Sequence, residues 1–236
     1  DQIVPAARLL APDPAHPFGT DALGRDLFSR IVFGARLAVQ MAGLAVGIAA
    51  AAGLTLGSLA GYYGGRLDYG LSRLVDAWLS LPGVLVAIVV VARLGPSLEN
   101  LIVALGFMCV PAYYRLVRST TLSTRRTLYV EAAEVIGAGD GRIMWKHILP
   151  NIASPLIVQT TLRLGMVLLT GGSLSFVGLG AQPPLPEWGA LLASGRNAMD
   201  TAWWLTFFPG LAMTVTVLGL NLLGDGLRDA LDPHIK

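Results

Sequence analysis

The residue types that most often perform chemistry in proteins are scarce in this chain of 236 residues. One cysteine, Cys109, and three histidines are present, and neither a Cys-x-x-Cys pair nor a histidine cluster predicts a metal site. The patterns His-Glu-x-x-His, Gly-x-Ser-x-Gly and Gly-x-x-x-x-Gly-Lys-Ser/Thr are all absent. The sequence therefore predicts no catalytic residue, no metal and no cofactor bound by this chain, and Cys109 is expected to be a packing residue.

The composition indicates a protein that lies in lipid. Hydrophobic residues make up 54% of the chain and charged residues only 14%, whereas soluble domains carry about 25% charged residues. The mean hydropathy is +0.63. The formal net charge of +2 is close to neutral and gives no indication of nucleic-acid binding.

Apolar stretches without charge predict an all-α membrane protein with about five spans. These are Arg36–Tyr62, Leu71–Ala92, Leu98–Val117, Ile152–Val177 and Ala202–Leu223. The third span reaches full length only if Arg115 extends to the membrane surface. An odd number of spans with an external start predicts a sixth helix before this chain.

Asp76 and Arg163 are charged residues within these spans, and Pro82 and Pro111 are two of the prolines there. Burying Arg163 or Asp76 in a bilayer would cost roughly 2.5 to 3.5 kcal/mol, so each should face the bundle interior or have a partner. For Arg163, a role in lining a translocation path and a structural pairing both remain open. Asp76 is expected to pair with Arg73 or to cap its span. Pro82 and Pro111 are expected to kink their helices and shape the path.

The distribution of cations predicts the orientation. The longest polar segment is 118–150, and six cations lie within 115–146, so we expect this loop to be cytoplasmic. Counting spans from it places the tail 224–236 inside and the N-terminal segment 1–35 outside. Arginines 25, 30 and 36 then lie outside, against the rule.

Glycines in the first span predict close helix packing. Gly43 and Gly47 are four residues apart, and so are Gly53, Gly57 and Gly61. In lipid, such spacing lets a neighbouring backbone approach.

The cytoplasmic loop contains a motif with fixed spacing. Glu131-Ala132-Ala133 is followed by three residues and Gly137, and His147-Ile-Leu-Pro-Asn151 comes later. This resembles the Glu-Ala-Ala (EAA) signature of ABC importer permeases, and His147, where isoleucine is usual, resembles the dipeptide, oligopeptide and nickel branch.

From the residues alone, the loop looks like two short helices joined by a tight turn. We expect helices at Thr127–Ile136 and Arg142–Leu149, with Asp140 as an N-cap and Pro150 separating the loop from the next span.

The resemblance implies a coupling helix around Ala133–Ile143 that docks on a nucleotide-binding ATPase subunit. Glu131 would anchor the turn or pair with a cation of the partner. The residues assigned to coupling are Glu131, Ala132, Ala133, Gly137, Ala138, Asp140 and Arg142, and the candidate path residues are Arg163 and Pro111.

The same family pattern extends over nearly the whole chain. His16–Asp21 and Gly24-Arg25-Asp26 resemble its N-terminal run, which we expect to form a structural clasp with a surface helix at Leu27–Val32 and an Asp26–Arg30 pair. Leu174–Gly180, followed by a proline-rich run, resembles its outer lip, and the tail to Pro233 follows its ending. Gly171 and Gly172 stand where many relatives have Glu-Ala, so no role for a carboxylate is carried over.

The resemblance implies a type I ABC importer transmembrane domain at 36–236, in the cell membrane of a prokaryote. The expected partners are two ATPase subunits that bind ATP and Mg, a homologous second permease, an extracytoplasmic substrate-binding protein and lipid, with no nucleic acid. The expected function is alternating-access import of peptides, nickel chelate or haem. The alternative is an ATP-independent secondary transporter or channel, which should show internal repeats and several intramembrane carboxylates. An intramembrane enzyme is disfavoured by the missing motifs.

Overall fold

The computed structural model describes residues 5–231, and almost all of the regular structure in this range is helical. The helices are α1 (Leu27–Tyr63), α2 (Gly65–Leu79), α3 (Gly83–Leu94), α4 (Leu98–Arg125), α5 (Leu128–Val135), α6 (Asp140–Ile143), α7 (Leu149–Phe176), α8 (Trp188–Gly195) and α9 (Trp204–Leu231). A π-helical turn, Met144–Ile148, joins α6 to α7. No β-strand occurs in 5–231, only an isolated bridge between Thr20 and Asp26.

Within residues 5–231, four helical segments are long and apolar enough to cross a membrane: α1, α4, α9 and the continuous run Asp140–Phe176. The fifth candidate is the pair α2 and α3, which meet at an angle of 87°. This pair covers the span predicted at Leu71–Ala92, and its bend lies at the kink predicted for Pro82, but the helix is broken between Leu79 and Gly83 rather than continuous. Pro82 caps α3 with an extended backbone and has no N–H with which to continue α2.

The boundary predicted at Pro150 is also wrong. Pro150 lies in the first turn of α7, where a proline leaves no hydrogen bond of that helix unmade, and the π-helical turn before it accommodates the chain. The segment after Gly139 therefore runs without interruption into the membrane helix.

The N-terminal segment leads directly into α1. The separate surface helix predicted at Leu27–Val32 is instead the start of this 37-residue helix. Asp26 caps it by accepting a 2.8 Å hydrogen bond from the backbone N–H of Ser29, and its other carboxylate oxygen lies 3.1 Å from the His16 ring. Burial raises the pKa of Asp26, but hydrogen bonds from Ser29 and His16 outweigh it and hold the pKa below its usual value.

The most extensive helix contact among the described residues is that of α1 with α4, and glycines make it possible. A Cβ on Gly57 would lie 2.8 Å from the Tyr114 carbonyl oxygen and 2.8 Å from Val117 Cβ. Gly53 and Gly61 meet α4 in the same way, so the packing prediction is confirmed for these three glycines. Gly43 and Gly47 differ, because nothing among the described residues lies within 4 Å of a Cβ built there.

Most of the remaining apolar core lies between α1, α4, α7 and α9. Met41, Leu105 and Leu168 are among its fully buried side chains. Cys109 belongs to this cluster with 2% exposure, which confirms it as a packing residue.

The α1–α4 contact predicts opposite effects for two Gly→Ala substitutions. Gly57→Ala should destabilise the protein by about 1–3 kcal/mol, since the added methyl group meets α4 backbone that has nowhere to move. Gly43→Ala should be neutral or stabilising by up to about 1 kcal/mol, because alanine favours helix and the position is open. Thermal unfolding of both variants in detergent measures the difference. Equal melting temperatures would contradict the packing described above.

Candidate coupling site between α4 and α7

The EAA motif forms the end of α5 and the turn after it. Gly137 has φ +81° and accommodates the left-handed conformation that ends the helix. The Ala138 N–H donates to the Ala133 carbonyl at 3.0 Å and the Gly137 N–H donates to the Glu134 carbonyl at 3.0 Å, which is a Schellman motif. Ala133 and Ala138 both pack against the same apolar cluster. The spacing of the motif is therefore the spacing that this turn requires.

Asp140 was expected to be an N-cap, and this is wrong. Gly139 occupies the cap of α6, and Asp140 is the first residue of the helix. Its carboxylate accepts a 3.0 Å hydrogen bond from the Tyr62 hydroxyl, at the end of α1. The turn is therefore tied to α1 by a side chain that the sequence analysis did not single out.

Arg125, the last residue of α4, joins the same group. Its guanidinium donates to the Tyr62 carbonyl and lies 4.9 Å from the centre of the Tyr62 ring. Its Nε lies 3.6 Å from a Glu134 carboxylate oxygen. The ends of α1 and α4 are thereby linked to both helices of the loop.

A small apolar cluster beneath the loop makes this attachment firm. Its buried members come from α1, α4, α5, α6 and α7 and are Tyr62, Val117, Val130, Ala133, Ile143, Ile148 and Ile152. Because the cluster draws on every element that borders the loop, the loop should move as one body with the adjoining ends of α1, α4 and α7.

The outer surface of the loop carries large exposed apolar side chains among charged ones. Val135 is 87% exposed, Ile136 83% and Trp145 75%. Glu131, Ala132 and Arg142 are exposed on the same loop. Large apolar side chains left open on a polar loop mark a surface for another protein. The sequence signal for this surface is the pair Val135-Ile136, next to Gly137. Neither residue of the pair was among the predicted coupling residues.

The candidate path residues lie away from this loop. Arg163 is half-buried on α7, and its guanidinium lies 3.1 Å from the Met166 sulfur. Pro111 is buried within α4, which runs through it as one helix. The role of both in a translocation path stays a prediction.

The partner predicted for Asp76 is wrong. Asp76 accepts a 2.8 Å hydrogen bond from Arg115 on α4, whereas Arg73 lies over the Tyr69 ring. Arg115 thus has a partner within the bundle. The residues described by the structure contain no group of His, Cys, Asp and Glu side chains that could hold a metal ion.

The opposite end of the bundle is closed by the N-terminal segment. Asp21 lies 2.7 Å from Arg25 Nε and 3.7 Å from Arg30 Nε, which offsets part of the positive charge there. Phe18 stacks on Phe208 of α9 with ring centres 4.0 Å apart, and the Trp204 indole N–H donates to the Thr20 carbonyl. These contacts have the form of a structural clasp.

The segment between α7 and α9 returns into this end of the bundle through α8. The Trp188 indole N–H donates to the Ile31 carbonyl of α1 at 3.0 Å. A Cβ on Gly189 would collide with the Gly172 backbone, and one on Gly171 would meet Met41. The two glycines that replace the family's Glu-Ala pair are therefore contact points for α8 and α1.

Glu187 caps α8 from a buried position. Its carboxylate accepts 3.0 Å hydrogen bonds from the backbone N–H groups of Gly189 and Ala190, and the residue is 1% exposed. Burial raises the pKa of Glu187 above 4.5, although these hydrogen bonds act in the opposite direction.

This raised pKa predicts a pH-dependent effect of Glu187→Gln. In the wild type the folded state holds the proton more tightly than the unfolded state, so stability falls as pH rises from 4.5 through the folded pKa. Glutamine does not titrate, so the melting temperature of the variant should rise relative to that of the wild type over this pH window. Melting curves from about pH 4 to about pH 8 measure it. A difference that stays constant with pH would contradict the assignment.

Solved structures define the class of the fold. The chain matches a subunit of the MetNI methionine ABC transporter in an inward-facing conformation with a TM-score of 0.71, 20% identity, and coverage of 87% of this chain and 98% of that one. It also matches an amino acid ABC transporter with a TM-score of 0.65 and 13% identity, over 86% of this chain and 94% of that one. The fold is that of a type I ABC importer transmembrane subunit.

The family follows from the sequence. Residues 53–236 match the family described as "Binding-protein-dependent transport system inner membrane component", and the chain belongs to this family. It is 49% identical to a dipeptide transport system permease protein of Alkalihalophilus pseudofirmus, over 98% of this chain and 76% of that protein. It is 48% identical to a glutathione transport system permease protein of Pectobacterium atrosepticum, over 95% of this chain and 75% of that protein.

Membership confirms the resemblance stated from the motifs. The chain is a multi-pass permease subunit of an ABC importer, located in the inner membrane, and is a non-catalytic component of its transporter.

Proposed function

We propose that this chain moves peptides or related small solutes across the membrane by alternating access, driven by ATP hydrolysis in partner subunits. The observation that carries this proposal is the exposed apolar face of the α5–α6 loop, which is tied to the ends of α1 and α4 through Tyr62, Asp140 and Arg125. A loop that offers exposed apolar side chains to a partner and is attached firmly to the helix ends is suited to transmit movement from that partner to the helices.

The partners follow from this surface and from the family. Two nucleotide-binding subunits bind ATP and Mg, and each receives a coupling loop in a groove that accommodates Val135 and Ile136. When ATP closes the two subunits, their grooves move together and carry the loops with them. A homologous second permease supplies the other half of the path, and an extracytoplasmic binding protein delivers the solute.

The cargo is proposed from the relatives. Permeases that are 45–49% identical to this chain are named for transport of dipeptides, D,D-dipeptides and glutathione, which are all short peptides with free charged ends. Nickel chelates and haem, expected from the wider family, appear in none of these names.

Affinity purification from the native membrane tests the partners. The expected result is co-purification of two ATPase subunits and a second permease, with ATP hydrolysis by the assembly. Recovery of a lone chain without ATPase activity would contradict the proposal.

Substitutions on the loop test the docking surface. Val135→Asp and Ile136→Asp should release the ATPase subunits and reduce ATP-dependent dipeptide uptake at least about tenfold, because a buried unpaired carboxylate at an interface costs several kcal/mol. Both side chains are more than 80% exposed in this chain, so folding should be unchanged. The measurements are co-purification and uptake.

Leu23→Asp is the matched control for this test. Leu23 is 44% exposed in the N-terminal segment at the opposite end of the bundle, so the variant should retain the ATPase subunits. If Val135→Asp and Ile136→Asp retained them equally well, the loop would not be the docking surface.

A further inference from the structure

A charged groove lies between α2 and α4. It has a volume of about 560 Å³ and is lined by residues that include Ser72, Asp76, Tyr114 and Arg115. A second groove beside it adds Asp68, Arg73 and Tyr69. Together the two linings contain two carboxylates and three guanidinium groups, so the surface offers both signs of charge.

Two ion pairs join α2 to α4 here, and they differ in character. Arg118 binds both carboxylate oxygens of Asp68, with Nη2 at 2.6 Å from Oδ2, and Asp68 also accepts from Ser72. The side chains of that pair are 31% and 18% exposed. This pair, closed and bidentate, has the form of a structural attachment.

The second pair is open. One hydrogen bond is recorded between Arg115 and Asp76, from Nη2 to Oδ1 at 2.8 Å, and their side chains remain 58% and 50% exposed. About half of each side chain is therefore left exposed, and both residues line the groove.

The position of Arg115 decides what the open pair can face. Arg115 lies 17 residues after Leu98, or about 25 Å along α4, which is within the roughly 30 Å of a hydrocarbon layer counted from that end. Helical side chains lean toward the N-terminus, which for α4 is away from the cytoplasmic loop. A half-exposed charge at this depth faces protein or water, because exposing it to lipid would cost several kcal/mol.

The shape of the bundle favours water. Leu116, beside Arg115, also lines a separate cavity of about 370 Å³ with Pro155 and Gln159 of α7 and Arg228 of α9. The part of α4 around Arg115 and Leu116 therefore has open space on two sides, toward α2 and toward α9. Such a concave face, at the end of the bundle that carries the coupling loop, suits the inner mouth of a path.

We infer that the groove between α2 and α4 is a polar subsite at the cytoplasmic mouth of the translocation path, where Asp76 and Arg115 contact the ammonium and carboxylate ends of a short peptide. This inference rests on the proposed function for the class of cargo. A molecule with both charges needs partners of both signs as it leaves water, and the open pair presents them side by side.

Water access is the first test, and it does not depend on the cargo. Ser119 is exposed, one turn beyond Arg115, and lines the groove. In the native complex, Cys109→Ala combined with Ser119→Cys should react with a membrane-impermeant thiol reagent added from the cytoplasmic side. Leu218→Cys on α9, 56% exposed on an apolar face, is the matched control and should not react. An unreactive Ser119→Cys would overturn the water-filled groove.

Uptake is the second test, with dialanine as the transported peptide. Asp76→Asn and Arg115→Gln should each lower ATP-dependent uptake by the complex at least about tenfold, while assembly and ATP hydrolysis stay within about twofold of wild type. Arg93→Gln, an exposed arginine at the other end of α3, should transport normally.

A charge exchange separates a path role from a structural one. The double variant Asp76→Arg with Arg115→Asp should have a melting temperature close to that of the wild type, because the ion pair forms again with its charges exchanged. It should not restore uptake, since the charges then meet the cargo in the wrong places. Restored uptake, or loss of the complex in the single variants, would overturn the inference in favour of a structural pair or a contact with the second permease. Absence of ATP-dependent dialanine uptake in the wild type would instead overturn the proposed cargo, while thiol labelling would still report on the groove.

Discussion

The backbone contact between α1 and α4 is the constraint on which the rest of the structure depends. In lipid there is little hydrophobic drive to bring helices together, so close packing must supply the attraction. Glycines at 53, 57 and 61 remove the side chains that would hold the two helices apart. Every later feature is placed relative to this pair: α7 packs against both helices, and α9 packs mainly against α7.

The ends of the same pair hold the two specialised regions. At one end, Tyr62 of α1 and Arg125 of α4 fix the loop formed by α5 and α6. At the other, Trp188 binds the Ile31 carbonyl of α1 and ties the re-entrant α8 to it. In the proposed mechanism, a force on the loop is applied to helices that extend to the opposite end of the bundle. Between these ends, Arg118 on α4 attaches α2 through Asp68.

Much of this could be predicted from the sequence, because the signals were local. Hydropathy located four of the spans, and the spacing of Glu131, Ala133 and Gly137 identified the family and the turn. The backbone N–H groups of Gly137 and Ala138 form that turn by hydrogen bonds to carbonyls of near neighbours in the chain.

The wrong predictions concern features that depend on residues distant in sequence. Asp76 could pair with Arg73 nearby or with Arg115 39 residues away, and only the crossing of α2 over α4 selects Arg115. The break at Pro82 and the continuity through Pro150 have the same origin: a proline ends a helix or begins one according to what precedes it, and the π-helical turn at Met144–Ile148 leaves no mark in the composition. The role of Tyr62 depends on the fold alone.

The central claim is that ATP hydrolysis by partner subunits moves solute through this permease. The most direct measurement is uptake of a labelled dipeptide by proteoliposomes that contain the purified assembly and its binding protein. Uptake should require ATP, stop when hydrolysis is blocked, and be unaffected by collapse of proton and sodium gradients. Uptake that proceeds without ATP and follows an ion gradient would contradict the account and identify a secondary transporter.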